Sequence, residues 1–547
     1  MKFLNHYKKS RAKSMSLLIA AGLFLMITGV SSVNAKQDQE EQGRGNQEQQ
    51  VRGKWMAGDF HNHTWLTDGS HTEADVFYHA FDVFGLNWIA NSEHGGAYTT
   101  NPEGLYWDDP SITPSTVFLG DLIMSGGHQA MWRWQSLQDY SFPLILEFRD
   151  EYKKKGIIQG VEWNCPSHEH ASVGIVAEDA VPISDFEYMF DQSDKDTSRA
   201  AEGLVKKNVT HADAVAGAQW LQDNYRDTSY FLFNHPSRKL KYTIAHIRDF
   251  NNTAPDVCFG FEGIPGHQKE SSRGGYGNGP FKDANGNDIT YKARTYGGAD
   301  YMIAKVGGLW DSLLGEGRHF WTYVNSDFHS SADDADFWPG EYAKTHTFVT
   351  DEDSDKKYSL EEIVNGLRSG NVFAVHGDLI NKLDFSARSL FKGPKDTASM
   401  GETMKIKKGS GIRVTIRFKS PKVNNNGDNV TVDHIDLIAG DVTGMATAGT
   451  PAYSKDTNES TKIIAQFDNT SWEKDEDGWT VIKFYFNNVR NNMYFRLRGT
   501  NLPINTPNET DADGNPLIDD LQGTNDGQKA YQDLWFYSNP IFVEVKK

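Results

Sequence analysis

Cysteine is scarce in this chain. Only Cys165 and Cys258 occur among 547 residues, and no Cys-x-x-Cys pair is present. A cysteine-based zinc site and a disulfide-dense scaffold are therefore excluded. Both cysteines lie in or beside strand-like segments, so in an exported protein they could form one disulfide or remain two buried thiols. The sequence also lacks a Gly-x-Ser-x-Gly elbow, which argues against a serine hydrolase.

Positive charge is also in short supply. The chain has 55 Lys and Arg against 74 Asp and Glu, which gives a formal net charge of -19. This excess of acid argues against broad electrostatic binding to nucleic acid or anionic membranes. A small anionic substrate remains compatible with it, because bound metal ions invert the local field.

Long apolar runs are confined to the N-terminus. A basic stretch at 8–13 precedes an apolar run at about 15–30, and small and polar residues then lead to Ala35. The run is shorter than the ~20 residues of a bilayer span, so we expect a signal peptide over 1–35, cleaved after Ala35, rather than an anchoring helix. No cysteine is nearby to carry a lipid. Residues 36–54 read as a disordered linker, and the mature protein is expected to be secreted without stable membrane insertion.

The first half of the chain alternates strand and helix patterns. Helical spacing of apolar residues marks 73–85, 212–225, 299–317 and 359–370. Apolar runs that predict strands lie at 55–60, 86–91, 156–161, 171–176, 230–233, 257–261, 320–324 and 371–375. This alternation predicts a parallel sheet or a β/α barrel over residues 55–385.

The pattern of apolar and polar residues changes at about Gly401. Short alternating runs follow, separated by turns of Asn, Gly and Asp, and they predict an antiparallel β-sandwich domain over 400–547. An acidic loop at 511–520 resembles a calcium loop. It lacks the glycine and the final glutamate of an EF-hand, so we interpret it as a solvated turn.

Residues that can bind metal follow several of the predicted strands. In the segment GDFHNHTWLTDG, His61 and His63 are spaced i, i+2, so on an extended strand both side chains point the same way. The full set of candidates is His61, His63, Asp68, His94, Glu162, one of His168 and His170, His235, Asp327 and His329. Imidazole and carboxylate groups suit zinc, manganese or iron.

These segments together resemble the polymerase and histidinol phosphatase (PHP) family over residues 52–380. The resemblance is carried, in the family's order, by HNHTWLTDG, SEH, GVE, HASVGI, NHP and SDFH. The segment LRSGNVFAVHG at 367–377 also looks like the barrel end of secreted PHP-type metallohydrolases. That subgroup includes phosphoesterases and carbamate-ester hydrolases, and its members often carry a C-terminal β-sandwich.

The resemblance implies a distorted (β/α)7 barrel that binds two or three divalent ions. Of the two histidines, His170 is preferred to His168 because an apolar strand follows it directly. The family usually has Asp where this chain has Glu93. The implied ligands are His61, His63, Glu162 and Asp327 for one ion, Asp68, His94 and His235 for a second, and Glu162, His170 and His329 for a third.

The function implied by these residues is a metal-dependent hydrolase. Divalent ions lower the pKa of bound water from 15.7 to about 7 and so supply hydroxide as the nucleophile. A phosphoesterase acting on a small phosphorylated ester is the leading hypothesis. A carboxyl-ester or carbamate hydrolase on the same metals is the alternative within enzymes. A surface protein that binds a glycan or polymer, with an idle barrel, is the alternative from another class.

Two loop residues are candidates for roles beyond metal binding. His267, in GIPGHQ, follows a predicted strand and could be a general acid or a substrate contact, or simply a turn histidine. Arg273, in a glycine-rich loop, could bind a phosphate group or be a solvated loop residue.

Overall fold

The computed structural model describes residues 53–277, 279–331, 336–355, 357–391, 393, 396–519 and 527–546. The predicted signal peptide over 1–35 lies outside these residues, as does the predicted linker up to residue 52. Gly53 and Lys54, the last two residues assigned to that linker, already belong to the first strand.

Nine strands of the first part of the chain form one continuous stretch of a larger sheet. Their spatial order is β7-β6-β5-β4-β3-β2-β1-β8-β9. They are β1 (Gly53–Asp59), β2 (Trp88–Asn91), β3 (Gly156–Asn164), β4 (His170–Ile175), β5 (Ser229–Phe233), β6 (Cys258–Ile264), β7 (Trp321–Val324), β8 (Ala343–Thr350) and β9 (Val372–His376).

The sheet is mixed rather than purely parallel. Strands β1, β2 and β3 pair in parallel, and so do β5, β6 and β7. The exception among the first seven is β4, which runs antiparallel to both β3 and β5. The connection from β3 to β4, residues 165–169, is too short for the crossover that a parallel pair needs. The prediction of a parallel sheet is therefore wrong at this strand.

The carboxyl ends of β1 and β7 lie side by side, although these strands form no ladder. A single parallel bridge joins Asn62 to Phe328, and the backbone N–H of His63 donates to the carbonyl of Phe328 at 2.8 Å. The backbone N–H of Ser326 donates to the Asp59 carboxylate at 2.8 Å. Through these contacts the chain after β1 and the chain after β7 share one site.

Seven helices of six or more residues connect and cover these strands in the described chain. They are α1 (Glu73–Tyr78), α2 (Phe142–Glu151), α3 (Val181–Phe190), α4 (His211–Tyr225), α5 (Ile244–Thr253), α6 (Leu309–Gly315) and α7 (Leu360–Ser369). Four-residue helices span Arg133–Ser136, Tyr301–Ala304 and Gly527–Ala530, and π-helical turns follow α1 at His79–Val83 and precede α2 at Leu137–Ser141.

Local sequence signals explain where several helices begin and end. Ser359 caps α7, with its side chain accepting from the N–H of Glu362, and Gly370 ends it at φ 73°. Thr72 and Thr210 form the same reciprocal cap at the starts of α1 and α4. Such caps satisfy backbone donors that the first turn leaves unpaired, which fixes the start of each helix.

Six two-residue strands of the first part form three small sheets, and the strands from residue 382 onward form the second part of the molecule. They are β10 (Lys382–Ser389), β11 (Thr397–Ser399), β12 (Thr403–Lys407), β13 (Ser410–Lys419), β14 (His434–Asp441), β15 (Lys462–Asp468), β16 (Glu473–Lys474), β17 (Thr480–Val489), β18 (Met493–Thr500), β19 (Trp535–Ser538) and β20 (Ile541–Lys546). One sheet has the order β11-β10-β13-β17-β16, and its strands pair antiparallel. Strands β19, β18, β14 and β15 continue the large sheet, while β20 pairs with β18 and β12.

These two sheets share one hydrophobic core. Phe385 and Val414, from the five-stranded sheet, are buried in the same cluster as Leu437 and Phe495, from the large sheet. Phe373 of β9 belongs to this cluster too. In addition, β9 pairs with β19, so the large sheet runs without interruption from the first part of the chain into the second. The division at residues 385 and 400 stays a prediction, and residues 51–547 form one compact unit.

Two further observations bear on the expectations from sequence. Cys165 and Cys258 are both buried with free thiols, so of the two alternatives the structure has the buried thiols. Over the described residues, no helix combines the length and the apolar character that crossing a membrane would require.

Candidate metal centre

The candidate metal ligands converge where the strands of the first part of the sheet end. His61 and His63 follow β1, His94 follows β2, and Glu162 lies near the end of β3. His170 begins β4, because this antiparallel strand starts at the edge where its neighbours finish. His235 follows β5, Asp327 and His329 follow β7, and Asp68 lies in the turn after β1.

Glu162 is the centre of this convergence, with its side chain only 1% exposed. Its Oε1 lies 3.1 Å from His61 Nε2, 3.0 Å from His170 Nδ1 and 3.3 Å from His235 Nε2. Its Oε2 lies 2.9 Å from His94 Nδ1 and 3.3 Å from His63 Nε2. Five imidazoles therefore surround a single carboxylate.

Asp327 makes a second, smaller hub beside Glu162. Its Oδ1 lies 3.0 Å from His61 Nε2 and 3.4 Å from His63 Nε2. The four residues His61, His63, Glu162 and Asp327 form one buried group whose ligand atoms lie within 4.8 Å of one another. This is the same set that the resemblance implies for the first ion.

The other ligand groups differ from the implied sets. Asp68 and His94 lie with His63 and His329, and not with His235. His235 lies with His170 and Glu169, while a further group joins His94, Glu162 and His170. Thus His235 lies beside His170, where His329 was expected, and His329 lies with Asp68 and His94, where His235 was expected. The reason is topological: β5 is the neighbour of β4, whereas the chain after β7 packs against the chain after β1.

His170 and His168 point to different places. His170 contacts Glu162, whereas His168 lies outside the centre, where its Nδ1 contacts the carbonyl of Lys241 at 3.1 Å and its Nε2 contacts His211 at 2.8 Å. The preference for His170 as the candidate ligand agrees with this geometry.

His267 lies at the edge of the centre. Its Nε2 is 3.1 Å from Asp327 Oδ2, and its Nδ1 contacts Asp336 at 2.5 Å. Burial acts to lower the pKa of His267, but the carboxylates of Asp327 and Asp336 hold it well above its ordinary value. His267 thus lies between two acids, and with His329 and Asp336 it forms a group that could hold an ion.

Arg273 does not lie at the centre. Its guanidinium is buried, donates to Gln268 and to the hydroxyl of Tyr342, and pairs with Asp533. Asp533 belongs to the second part of the chain, so Arg273 joins the two parts. The structure thus argues against the predicted substrate-binding role, because a guanidinium that is 1% exposed and already paired cannot reach a ligand in the centre.

Four residues of the centre were not among the sequence candidates. Glu262 Oε2 lies 3.1 Å from His61 Nδ1, and Arg238 Nη1 lies 3.9 Å from Asp327 Oδ2. Glu169 and Asp336 complete two of the ligand groups. Glu262 directly follows the predicted strand at 257–261, so the strand-end criterion used for the other candidates would also have selected it. No sequence signal of that kind marks Arg238.

Three residues of the centre have a strained backbone conformation. Among non-glycine residues, His235, His267 and Asp327 have positive φ values of 29°, 53° and 46°. Such conformations cost about 1–3 kcal/mol each and persist only where the surroundings impose them. Here the positive φ values direct these three side chains, each in a tight connection, into the centre.

Glu93, the departure from the family's usual Asp, has defined partners. Its carboxylate accepts hydrogen bonds from the hydroxyls of Thr64 and Thr67 in the turn after β1. The longer side chain thus reaches the segment that carries His63, and it fixes the loop of His94 against that segment.

The donor set fits divalent ions. Burial and Arg238 lower the pKa of His235 to about 3, so this imidazole is neutral with a free lone pair, as a metal ligand must be. Although burial acts to raise the pKa of Glu162, His170, His61 and His94 hold it well below its usual range, so the carboxylate is ionised. Both ring nitrogens of His63 are buried and have no hydrogen-bond partner. The same is true of Nδ1 of His94.

Comparisons with known proteins give only distant likenesses, all to solved structures. No protein-family model and no curated protein matches the chain. Among solved structures, a two-domain protein from Bacteroides vulgatus ATCC 8482, containing a predicted PHP-like metal-dependent phosphoesterase, aligns with a TM-score of 0.30 and 10% identity. The alignment covers 85% of this chain and 94% of that one.

Proposed function

We propose that this protein is a secreted metal-dependent hydrolase, most specifically a phosphoesterase that acts on a small ester. The observation that carries the proposal is the ring of five imidazoles around Glu162. A carboxylate has about four lone-pair sites, and five imidazoles cannot all donate to it at once. Metal ions shared between the carboxylate and the histidines resolve this crowding.

The residues that would hold the ions come from four overlapping groups. They are His61, His63, Asp68, His94, Glu162, His170, His235, Asp327 and His329. Two or three divalent ions bound there, zinc, manganese or iron, would ionise water near neutral pH and polarise an ester oxygen. Glu262 would orient His61 by accepting from Nδ1, which leaves Nε2 for the ion.

Charge beside the centre favours a phosphate ester over a neutral one. Arg238 is 14% exposed and lies within 3.9 Å of Asp327. Burial acts to lower its pKa, but Asp327 and Glu169 raise it, so the guanidinium stays charged and can bind non-bridging phosphate oxygens. His267, at the edge of the centre beside Asp327, is placed to give a proton to a leaving oxygen.

The proposed architecture is a distorted (β/α)7 barrel followed by a β-sandwich domain. Strands β1 to β7 would be the barrel strands, with the bridge between Asn62 and Phe328 as the point of closure. The two sheets that enclose Phe385 and Leu437 would be the sandwich. The signal peptide would be cleaved after Ala35 during export. N-terminal sequencing of protein from the culture medium tests this directly.

The test is hydrolysis of a panel of four esters by the metal-replete mature protein. The panel contains an aryl phosphomonoester, a phosphodiester, a carboxyl ester and an aryl carbamate. His61→Ala is the test variant and His128→Ala is its matched control, because His128 is 35% exposed and pairs with Asp108, which is not a residue of the centre. We expect turnover of a phosphate ester that His61→Ala loses by at least 100-fold and His128→Ala retains.

Other outcomes would overturn parts of the proposal. Turnover of the carboxyl ester or carbamate alone would replace the phosphoesterase with the corresponding ester hydrolase. If a folded, metal-replete protein turned over no ester at all, the protein would be assigned to the glycan- or polymer-binding class.

A further inference from the structure

A second histidine cluster lies outside the centre, on the rim formed by the 165–169 connection and the first turns of α4 and α5. It consists of His168, His211 and His246, with the Asp249 carboxylate beside them. The ring centroids of His211 and His246 are 4.6 Å apart, and those of His168 and His246 are 4.7 Å apart. Here we call these four residues the rim cluster.

The hydrogen bonds of His168 fix which of its nitrogens carries hydrogen. Nδ1 lies 3.1 Å from the carbonyl of Lys241, which can only accept, so Nδ1 carries the hydrogen. In the neutral imidazole, Nε2 then holds a lone pair. This Nε2 points at His211 Nδ1, 2.8 Å away.

His211 repeats the arrangement with a different acceptor. Its Nε2 lies 3.2 Å from Asp249 Oδ2, and a carboxylate also only accepts, so Nε2 carries the hydrogen. In the neutral ring, Nδ1 then holds a lone pair that faces the lone pair of His168. Two lone pairs cannot remain at 2.8 Å unless a cation, a proton or a metal ion, lies between them.

We propose that the rim cluster binds one zinc-type divalent ion. His168 Nε2 and His211 Nδ1 are its first two ligands, and His246 is the third. Metal-bound histidines characteristically donate their other ring N–H to a backbone carbonyl or a carboxylate, and Lys241 and Asp249 supply one of each. With zinc–nitrogen distances of about 2.0–2.1 Å, tetrahedral ligand nitrogens are separated by roughly 3.3 Å, so the pair needs to open by only about half an ångström.

His246 must turn its ring to join the pair, whose ring centroids lie 4.7 Å (His168) and 4.6 Å (His211) from its own. Its Nδ1 accepts a long contact of 3.3 Å from the N–H of Thr243, which closes the cap of α5. The hydroxyl of Thr243 also accepts from the N–H of His246, at 3.3 Å, so the cap keeps one contact when the ring turns. The side chain of His211 is 29% exposed, which leaves a path for the ion.

The ion would fix the connection that carries two residues of the centre. His168 is followed directly by Glu169 and His170 in the same connection. On the outer side, Asp249 accepts from the Tyr453 hydroxyl at 2.7 Å, so the rim cluster also reaches the second part of the chain. The proposed role is therefore structural support of the centre from outside it.

The experiment counts zinc ions per chain. The mature full-length protein is stripped with a chelator, dialysed against buffered zinc, and analysed by mass spectrometry of the metal. His211→Ala is compared with wild type and with His128→Ala, whose histidine also pairs with an aspartate at the surface. We expect His211→Ala to hold one ion fewer than both.

The same comparison in a Glu162→Gln background separates this site from the centre. There too, adding His211→Ala should remove one ion, whatever number the centre retains, so failure of the proposed hydrolase function leaves this result unaffected. Circular dichroism checks folding, and His246→Gln replaces His211→Ala if the latter does not fold. Equal zinc counts for wild type and the folded rim variant would overturn the proposal and leave a proton as the cation between the two rings.

Discussion

The guanidinium of Arg496 donates two hydrogen bonds to the carboxylate of Asp311, Nε to Oδ1 at 2.9 Å and Nη2 to Oδ2 at 2.8 Å. Both side chains are fully buried. Asp311 belongs to α6 in the first part of the chain, and Arg496 belongs to β18 in the second. The Tyr494 hydroxyl also donates to Asp311, at 2.9 Å. A fully desolvated ion pair thus joins the two parts of the molecule.

Removing one partner of this pair should destabilise the whole protein. Asp311→Ala leaves the Arg496 charge buried without a partner, and we expect a loss of about 3–5 kcal/mol in the free energy of unfolding. Glu459→Ala removes the partner of Lys455 in an exposed pair and should leave the free energy of unfolding nearly unchanged. Urea unfolding of both variants measures the difference. Equal, small losses would show that the pair contributes little.

Parts of this fold could be predicted from local sequence signals, and other parts could not. Helix α7 matches its prediction to within a residue because Ser359 and Gly370 mark both ends. By contrast, the single helix predicted over 299–317 is two short helices, Tyr301–Ala304 and Leu309–Gly315, since Gly307 adopts a positive φ of 74° between them. The antiparallel direction of β4 depends on a short connection, and the pairing of β9 with β19 joins residues that are far apart in the sequence, such as Phe373 and Ser538.

The candidate centre, too, could be predicted from the sequence only in part. Glu162 and the eight other candidates, chosen by their position near strand ends, lie together because the ends of neighbouring strands lie at one edge of a sheet. How His235 and His329 are shared among the groups depends on which strands are neighbours, which spacing does not encode. The settings of Arg238 and Arg273 could not be predicted for a similar reason: only the fold places Asp327 near the one and Asp533 near the other.

Glu162→Gln tests whether one carboxylate organises the metal groups. The amide keeps the shape but removes the charge and one acceptor oxygen, so we expect the protein to lose at least one bound ion per chain and at least 100-fold in ester hydrolysis. Metal analysis after dialysis gives the count. Glu544→Gln, which changes a 43% exposed carboxylate, is the control and should retain both properties. Unchanged metal content in Glu162→Gln would exclude a bridging role.

Glu262→Gln tests a contact that orients a ligand. Glu262 accepts from His61 Nδ1 at 3.1 Å, and removing such a partner of a metal-bound histidine typically costs 10–100-fold in metal affinity. We expect the zinc dissociation constant to rise by this factor while the number of ions at saturating zinc stays the same. Competition with a zinc-sensitive dye measures the constant. A reduced number of ions at saturation would instead make Glu262 itself a ligand.

Two arginine variants should separate substrate binding from structural support. Arg238→Met removes the partly accessible positive charge beside Asp327, and we expect KM for a phosphate ester to rise about 10-fold or more, with KM for a neutral ester unchanged. Arg273→Met removes the buried partner of Asp533, and it should lower the free energy of unfolding by about 3–5 kcal/mol. Steady-state kinetics and urea unfolding are measured on both variants. A KM change in the folded Arg273→Met protein, without one in Arg238→Met, would reverse the assignment.

The buried carboxyl of Glu73 should make stability depend on pH. Burial, together with Glu93, raises its pKa from 4.5 to about 8 despite the opposing charge of Arg133. Between these values the unfolded chain releases the proton while the folded protein keeps it, so the free energy of unfolding falls as pH rises from about 4.5 to 8.

Glu73→Gln cannot ionise, and it should remove this part of the pH dependence. Its stability relative to wild type should therefore be lowest near pH 4.5 and highest at pH 8 and above, with a change on the order of a few kcal/mol. Urea unfolding in chelator at both pH values measures it, with Glu544→Gln as the exposed control. A difference between Glu73→Gln and wild type that is the same at both pH values would mean that Glu73 is ionised throughout, held so by the nearby Arg133 charge.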